Sequence, residues 1–319
     1  MFDAFQAPDG APAGPVAGPA ALHALFAHPL VRAALPGPAL LLLVPLVVLA
    51  FRTTWARIDL EARRERAAMA GEDAFDARPA VATFIAAFSL TLQEYYGGAA
   101  AYVQHVYPRL VEQAARHPWL RPALFVDLYN YVYWAACRFF VYVVLPLGLW
   151  KIIFHRDRLL DMGLRPRGLR QHAWVYAGCL AAVAPCVVLA ARQPDFAAYY
   201  PFYRQASRSW FDFGAWELLY ITQFVGLEIF FRGWWLAVMR RAMGSAAIFS
   251  MVVPYCMIHY GKPYLEANGA VLAGVVLGTL AMKTRSIYAG LAVHVAVALG
   301  MDVAVLTARG GLPHAWVPW

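Results

Sequence analysis

The sequence predicts an all-α polytopic membrane protein, a helical bundle of about six to eight transmembrane helices. Three observations carry this. Of the 319 residues, 61% are hydrophobic and only 14% charged, where soluble domains carry about a quarter charged residues. Mean hydropathy is +0.52. Apolar runs of about 20 residues recur along the chain, each long enough to cross a bilayer as a helix.

The elements follow in order. Residues 1–35 begin "MFDAFQAPDGAPAGPVAGPA", a Pro/Gly/Ala-rich stretch that predicts a disordered or irregular tail; it lacks the basic start of a signal peptide, so the first membrane segment is expected to direct insertion. Residues 36–127 read as an N-terminal membrane anchor with an amphipathic helical region. "PGPALLLLVPLVVLAF" (36–51) is a short first span followed by a charged helical stretch, and "VATFIAAFSLTLQEYYGGAAAYV" (81–103) is long enough to span yet carries Gln93 and Glu94. Residues 128–319 hold the clearer spans, at 128–153, 172–191, 213–239, 244–260, 269–282 and 286–307.

The net charge of +8 does not point to nucleic acid. The basic residues cluster beside apolar runs, where they set topology and meet anionic lipid. The connectors holding Lys151 to Arg170, Arg240–Arg241 and Lys283/Arg285 alternate as cytoplasmic loops, and the arginines after Phe51 then require an even number of crossings before His155, which favours eight spans. All four cysteines, Cys137, Cys179, Cys186 and Cys256, lie in apolar segments as small core residues; Cys179 and Cys186 stand about 10 Å apart on a helix, too far for a disulfide.

Charge is costly in lipid, by at least ~2.5–3.5 kcal/mol at the bilayer centre, so each intramembrane polar residue asks for a function or a partner. Glu217, Gln223, Glu228 and Arg232 share one helix, with Glu228 and Arg232 four residues apart and Glu217 on nearly the same face. Tyr255 and His259 are likewise four apart on the next span, and His294 stands mid-helix on the last with Asp302 two turns on. Arg138 interrupts an earlier span as a counter-charge or a residue facing a water-filled cavity, whereas Lys262 and Glu266 read as solvated loop residues. In a hairpin pivoting near Met243–Gly244, Glu228 and His259 both lie about 22 Å from the turn and should meet; His294, at about 15 Å, and Asp302, at about 27 Å, bracket that depth.

A carboxylate shielded from bulk water can activate water, imidazoles can stabilise an oxyanion or bind a metal, and Arg232 can orient Glu228. Hydrolysis is the reaction class these groups suit. Glu228, Arg232, His259 and His294 are the catalytic candidates, with Tyr255, Asp302 and Glu217 in support. His259, His294 and Glu228 could also form a three-ligand site, for which Zn²⁺ is the candidate. Each group has a plain structural reading as well: an ion pair, a core histidine, a packed tyrosine. A proton-coupled transporter would use the same residue types, but no inverted repeat is evident.

"ExxxRG", "YxxxH" and a last-helix His together resemble the CPBP family of intramembrane proteases, which includes the CAAX-processing and Abi groups. Its pattern is Glu-Glu-x-x-x-Arg, then Phe-x-x-x-His, then His-x-x-x-Asn or Asp. "MGLRPRG" (162–168) resembles the segment that often precedes that core. The resemblance implies an intramembrane endopeptidase in a multi-pass protein of a bacterial-type cytoplasmic (inner) membrane. Its partners would be the lipid bilayer and a membrane-anchored protein or peptide substrate. Some branches act on C-terminal sorting signals of exported proteins, others in bacteriocin immunity. The chain departs from the pattern in two places: Leu227 replaces the family's first Glu, and Ala298 the final Asn or Asp. Both departures suit an inactive membrane scaffold or immunity factor, the alternative reading.

Overall fold

The computed structural model describes residues 28–34, 36–68, 76–166 and 169–319. The expected irregular tail therefore lies, for residues 1–27, outside the described residues, and Pro29–Ala34 is a short helix. Among the described residues the chain is helical and contains no strand.

Among the described residues the main helices are α1 Pro36–Ala67, α2 Arg78–Tyr96, α3 Val126–Ile153, α4 Leu169–Ala190, α5 spanning 210–243, the shorter α6 Ala246–Met257, α7 Tyr264–Thr284 and α8 Tyr288–Ala308. Among the described residues, five stretches are long and apolar enough to cross a membrane: Gly37–Ala67, Val126–Ile153, His172–Ala190, Tyr264–Thr284 and Tyr288–Ala308. The expected spans at 81–103, 213–239 and 244–260 fall outside that set. Residues 99–103 leave α2 after a Gly97–Gly98 break, α5 carries buried charges, and α6 is only 12 residues long. Apolar side chains such as Leu41, Phe84, Ile152, Trp174 and Leu218 point outward, more than half exposed, as lipid-facing residues do in an integral membrane protein.

Ion pairs gather the connections at one end. Asp59 of α1 accepts from the Ser245 amide (2.6 Å) and hydroxyl (3.1 Å), capping the start of α6. Glu61 bridges Arg240 (3.3 Å) and Arg285 (3.1 Å), Arg66 donates to the Arg241 carbonyl, and Asp76 pairs with Arg241 at 2.6 Å. The charged half of α1 is thus a clamp on the later helices. Trp55 extends it inward by donating to Thr279 Oγ1 on α7 (2.9 Å).

Small residues set the closest approaches. In the Gly274-x-x-x-Gly278 stretch of α7, a Cβ on Gly274 would lie 2.9 Å from Val252, and one on Gly278 2.9 Å from Met251. Their absence lets α7 seat against α6, as in small-residue helix pairs in lipid. Gly226 of α5 likewise approaches the α3 backbone at Phe139.

Candidate active site

The site is built on α5, whose α-helical part Trp210–Glu228 passes into a π-helical segment, Ile229–Trp235, directly after Glu228. Such segments often sit at functional sites. Nothing in the residue pattern signals it. Across from it α3 has its own π-helical segment, Phe140–Val144, and Tyr142 packs on Phe230 with ring centres 5.2 Å apart.

Glu228 is fully buried and Arg232 is 3% exposed. Glu228 Oε1 accepts from Arg232 Nη1 and faces His294 Nδ1 of α8 at 2.8 Å. Arg232 lies over the Tyr255 ring, 4.6 Å from its centre, adding a cation–π contact. The second oxygen, Oε2, has no hydrogen-bond partner among the described residues. It faces Gly290, where an added Cβ would sit 3.6 Å away. The glycine keeps a side chain out of the space beside that oxygen.

His259 is 5% exposed and lies in the turn after α6. Its Nδ1 is 2.8 Å from the Tyr255 carbonyl, so a neutral ring carries its proton there and presents Nε2 as an acceptor. The Tyr255 ring is 4.7 Å from His259 and 6.4 Å from His294, centre to centre. The hairpin count put Glu228 against His259. Instead the direct partner is His294, with Tyr255 set between the two imidazoles. Counting residues fixes height along a helix but not rotation about it, and α6 ends at Met257, so His259 leaves the helical face.

The supporting residues separate. Asp302 accepts from Trp216 Nε1 at 2.6 Å, and Glu217 is buried with both oxygens unpartnered among the described residues; neither joins Glu228. Leu227 packs in the apolar core at 2% exposure and Ala298 at 1%. Arg138 lies over the Trp134 ring at 4.4 Å. No set of three His, Cys, Asp or Glu residues among those described could hold a metal. Of the atoms considered for Zn²⁺, Glu228 Oε1 is engaged by Arg232 and His294, and His259 Nδ1 faces the Tyr255 carbonyl.

Lys262 and Glu266, expected as solvated loop residues, are partly buried. Each side chain is 15% exposed and the two pair at 2.8 Å, while Tyr200, from the segment between α4 and α5, donates to Glu266 at 2.7 Å. Burial pushes the Tyr200 hydroxyl well above its ordinary range, so it stays protonated as the donor. This chain fold-over covers a loop that reads as solvated in sequence.

The "MGL" connector holds the last helix in place. Gly163 has a φ of +77°, a conformation that favours glycine, and its carbonyl accepts from the Ile287 amide at 3.0 Å. Tyr288 donates to the Leu164 carbonyl, also at 3.0 Å. Against the same connector lies Gly233, the glycine of "ExxxRG": a Cβ there would meet the Met162 carbonyl oxygen at 2.7 Å. One strap thus fixes both Arg232's neighbour and the start of the helix bearing His294.

Residues 209–300 match the family described as type II CAAX prenyl endopeptidase Rce1-like. No curated protein and no solved structure matches the chain. The matched stretch runs from the start of α5 through His294, and it holds Glu228, Arg232, Tyr255 and His259 in the order expected. This match and these motifs make residues 209–300 similar to the CPBP/CAAX protease family.

Proposed function

We propose that the protein is an intramembrane endopeptidase that hydrolyses a peptide bond near the membrane, releasing a C-terminal segment of membrane-anchored or exported proteins in a bacterial-type cytoplasmic membrane. The family's description names prenyl CAAX substrates, and a lipid-anchored C-terminal segment is the corresponding substrate class here. The observation that carries the reading is the division of labour at Glu228: Oε1 is engaged by Arg232 and His294, while Oε2 lies unpartnered beside Gly290.

Glu228 Oε2 removes a proton from water as its oxygen attacks the scissile carbonyl. Arg232 keeps the carboxylate in place, and His294 and His259 stabilise the developing oxyanion. Each donates to the oxyanion through Nε2 only when protonated, since His259 Nδ1 faces the Tyr255 carbonyl and His294 Nδ1 faces Glu228 Oε1. The proton held on Glu228 passes to the leaving amine as the C–N bond breaks, which returns the carboxylate to its starting state. Membrane proteomics on cells expressing wild type, Glu228→Gln and His294→Ala tests this. New C-terminal ends present only with wild type support a protease, and identical termini in all three strains overturn it.

A second reading, an inactive membrane scaffold, draws on Leu227 and Ala298, buried apolar residues where the family pattern has polar ones. It requires Glu228→Gln to leave cellular function intact.

A further inference from the structure

The bundle end opposite the ion-pair clamp carries a cavity of about 480 Å³ outside the Glu228 site. Trp119, Phe211 and Trp319 wall it, and Leu128 and Val132, one turn apart on α3, form a floor running along the helix. Leu128 is 8% exposed and Val132 42%, so the floor passes from protein interior to a lipid-facing side chain. Arg121 stands at the mouth. Its backbone is left-handed, with φ +42°, a conformation uncommon for a non-glycine residue, and its guanidinium lies 5.4 Å from the Trp319 ring. No acidic side chain among the described residues forms an ion pair with it.

The preceding segment fixes the level of this mouth relative to the bilayer. The surface helix Tyr107–Arg116 buries no residue, yet Tyr107, Leu110, Val111 and Ala114 share one face and Arg109, Glu112, Gln113 and Arg116 the other. An amphipathic helix without a protein partner lies in the headgroup layer. Residues 107–121 carry three arginines against one glutamate, a positive balance that suits phosphate headgroups.

We propose that this groove binds an anionic phospholipid, with its phosphate on Arg121 and an acyl chain along Leu128 and Val132. Three features distinguish such a ligand from a soluble one: an unneutralised cation at headgroup level, exposed tryptophans of the interfacial type, and an apolar floor leading into the hydrocarbon layer.

The test uses the purified full chain in detergent micelles with equal amounts of phosphatidylglycerol and phosphatidylcholine of matched chains, read by native mass spectrometry. Wild type should retain phosphatidylglycerol preferentially. Arg121→Gln should cut that retention about fivefold and lower phosphatidylcholine less, and Val132→Trp, which fills the floor, should lower both. Phosphatidylglycerol brominated on its acyl chain should quench wild-type fluorescence more than that of the Trp119→Phe/Trp319→Phe double variant. Equal retention of the two lipids, an undiminished preference in Arg121→Gln, or equal quenching in the double variant each overturns the proposal.

Discussion

Replacing Gly233 with Ala puts a methyl group where the Met162 carbonyl oxygen stands, at 2.7 Å, about 0.7 Å inside the 3.4 Å at which ordinary contact begins. Backbone lies on both sides of this contact, so no flexible side chain can yield; the connector must move off α5. Its next bonds are Gly163 to the Ile287 amide and Leu164 to Tyr288, which carry the shift into the first turn of α8. His294 lies two turns further on. A displacement of that size takes its 2.8 Å contact with Glu228 to the limit of a hydrogen bond. Overpacking of this kind costs about 1–3 kcal/mol, and misplacing a reacting group by about 1 Å costs up to about 10²-fold in rate. Gly233→Ala should therefore lower the unfolding temperature in detergent and reduce cleavage about tenfold or more. Gly300→Ala is the control, since a Cβ there meets nothing within 4 Å; it should keep full activity and gain slightly in stability. Wild-type behaviour of Gly233→Ala, or equal damage from Gly300→Ala, would refute the strap.

Three further outcomes are expected. Arg232→Ala, which strands the buried Glu228 carboxylate, should destabilise by about 3–5 kcal/mol, whereas the double variant Glu228→Gln/Arg232→Met should unfold closer to wild type; paired thermal melts decide it. Asp59→Ala removes the cap on α6 and should cost about 0.5–2 kcal/mol, measured by chemical denaturation in micelles. Asp76 feels burial, which raises its pKa, but hydrogen bonds from Arg241 and the Arg78 amide hold it below the ordinary 3.8. Its contribution is then present above pH 3.8 and lost as pH falls through the lower folded value. The margin of wild type over Asp76→Asn should shrink in melts taken from pH 6 down to pH 3, and a constant margin would contradict the pairing.

Much of this was legible in the residues. Apolar run lengths located the helices because lipid leaves backbone groups no partner except the helix itself, and Glu228, Arg232, His259 and His294 stood out because charge in lipid needs a reason. The partner of Glu228 was not legible, since it depends on how α5 and α8 are rotated about their axes. Nor was the partial burial of Lys262 and Glu266, which rests on Tyr200, more than 60 residues away. The clamp role of α1 stayed hidden for a similar reason: its carboxylates read as an amphipathic face until their distant arginines are in place.

That distance bears on how the protein is made. Glu61 meets Arg240 and Arg285 across 179 and 224 residues of chain. At about 5–20 residues per second of synthesis, α1 is in the membrane for roughly 10–45 s before both arginines have been translated. During that interval its charged half faces water and headgroups without the distant arginines, a window in which a chaperone or the insertion machinery can hold the nascent chain, and the last loop to emerge is the one that closes the clamp.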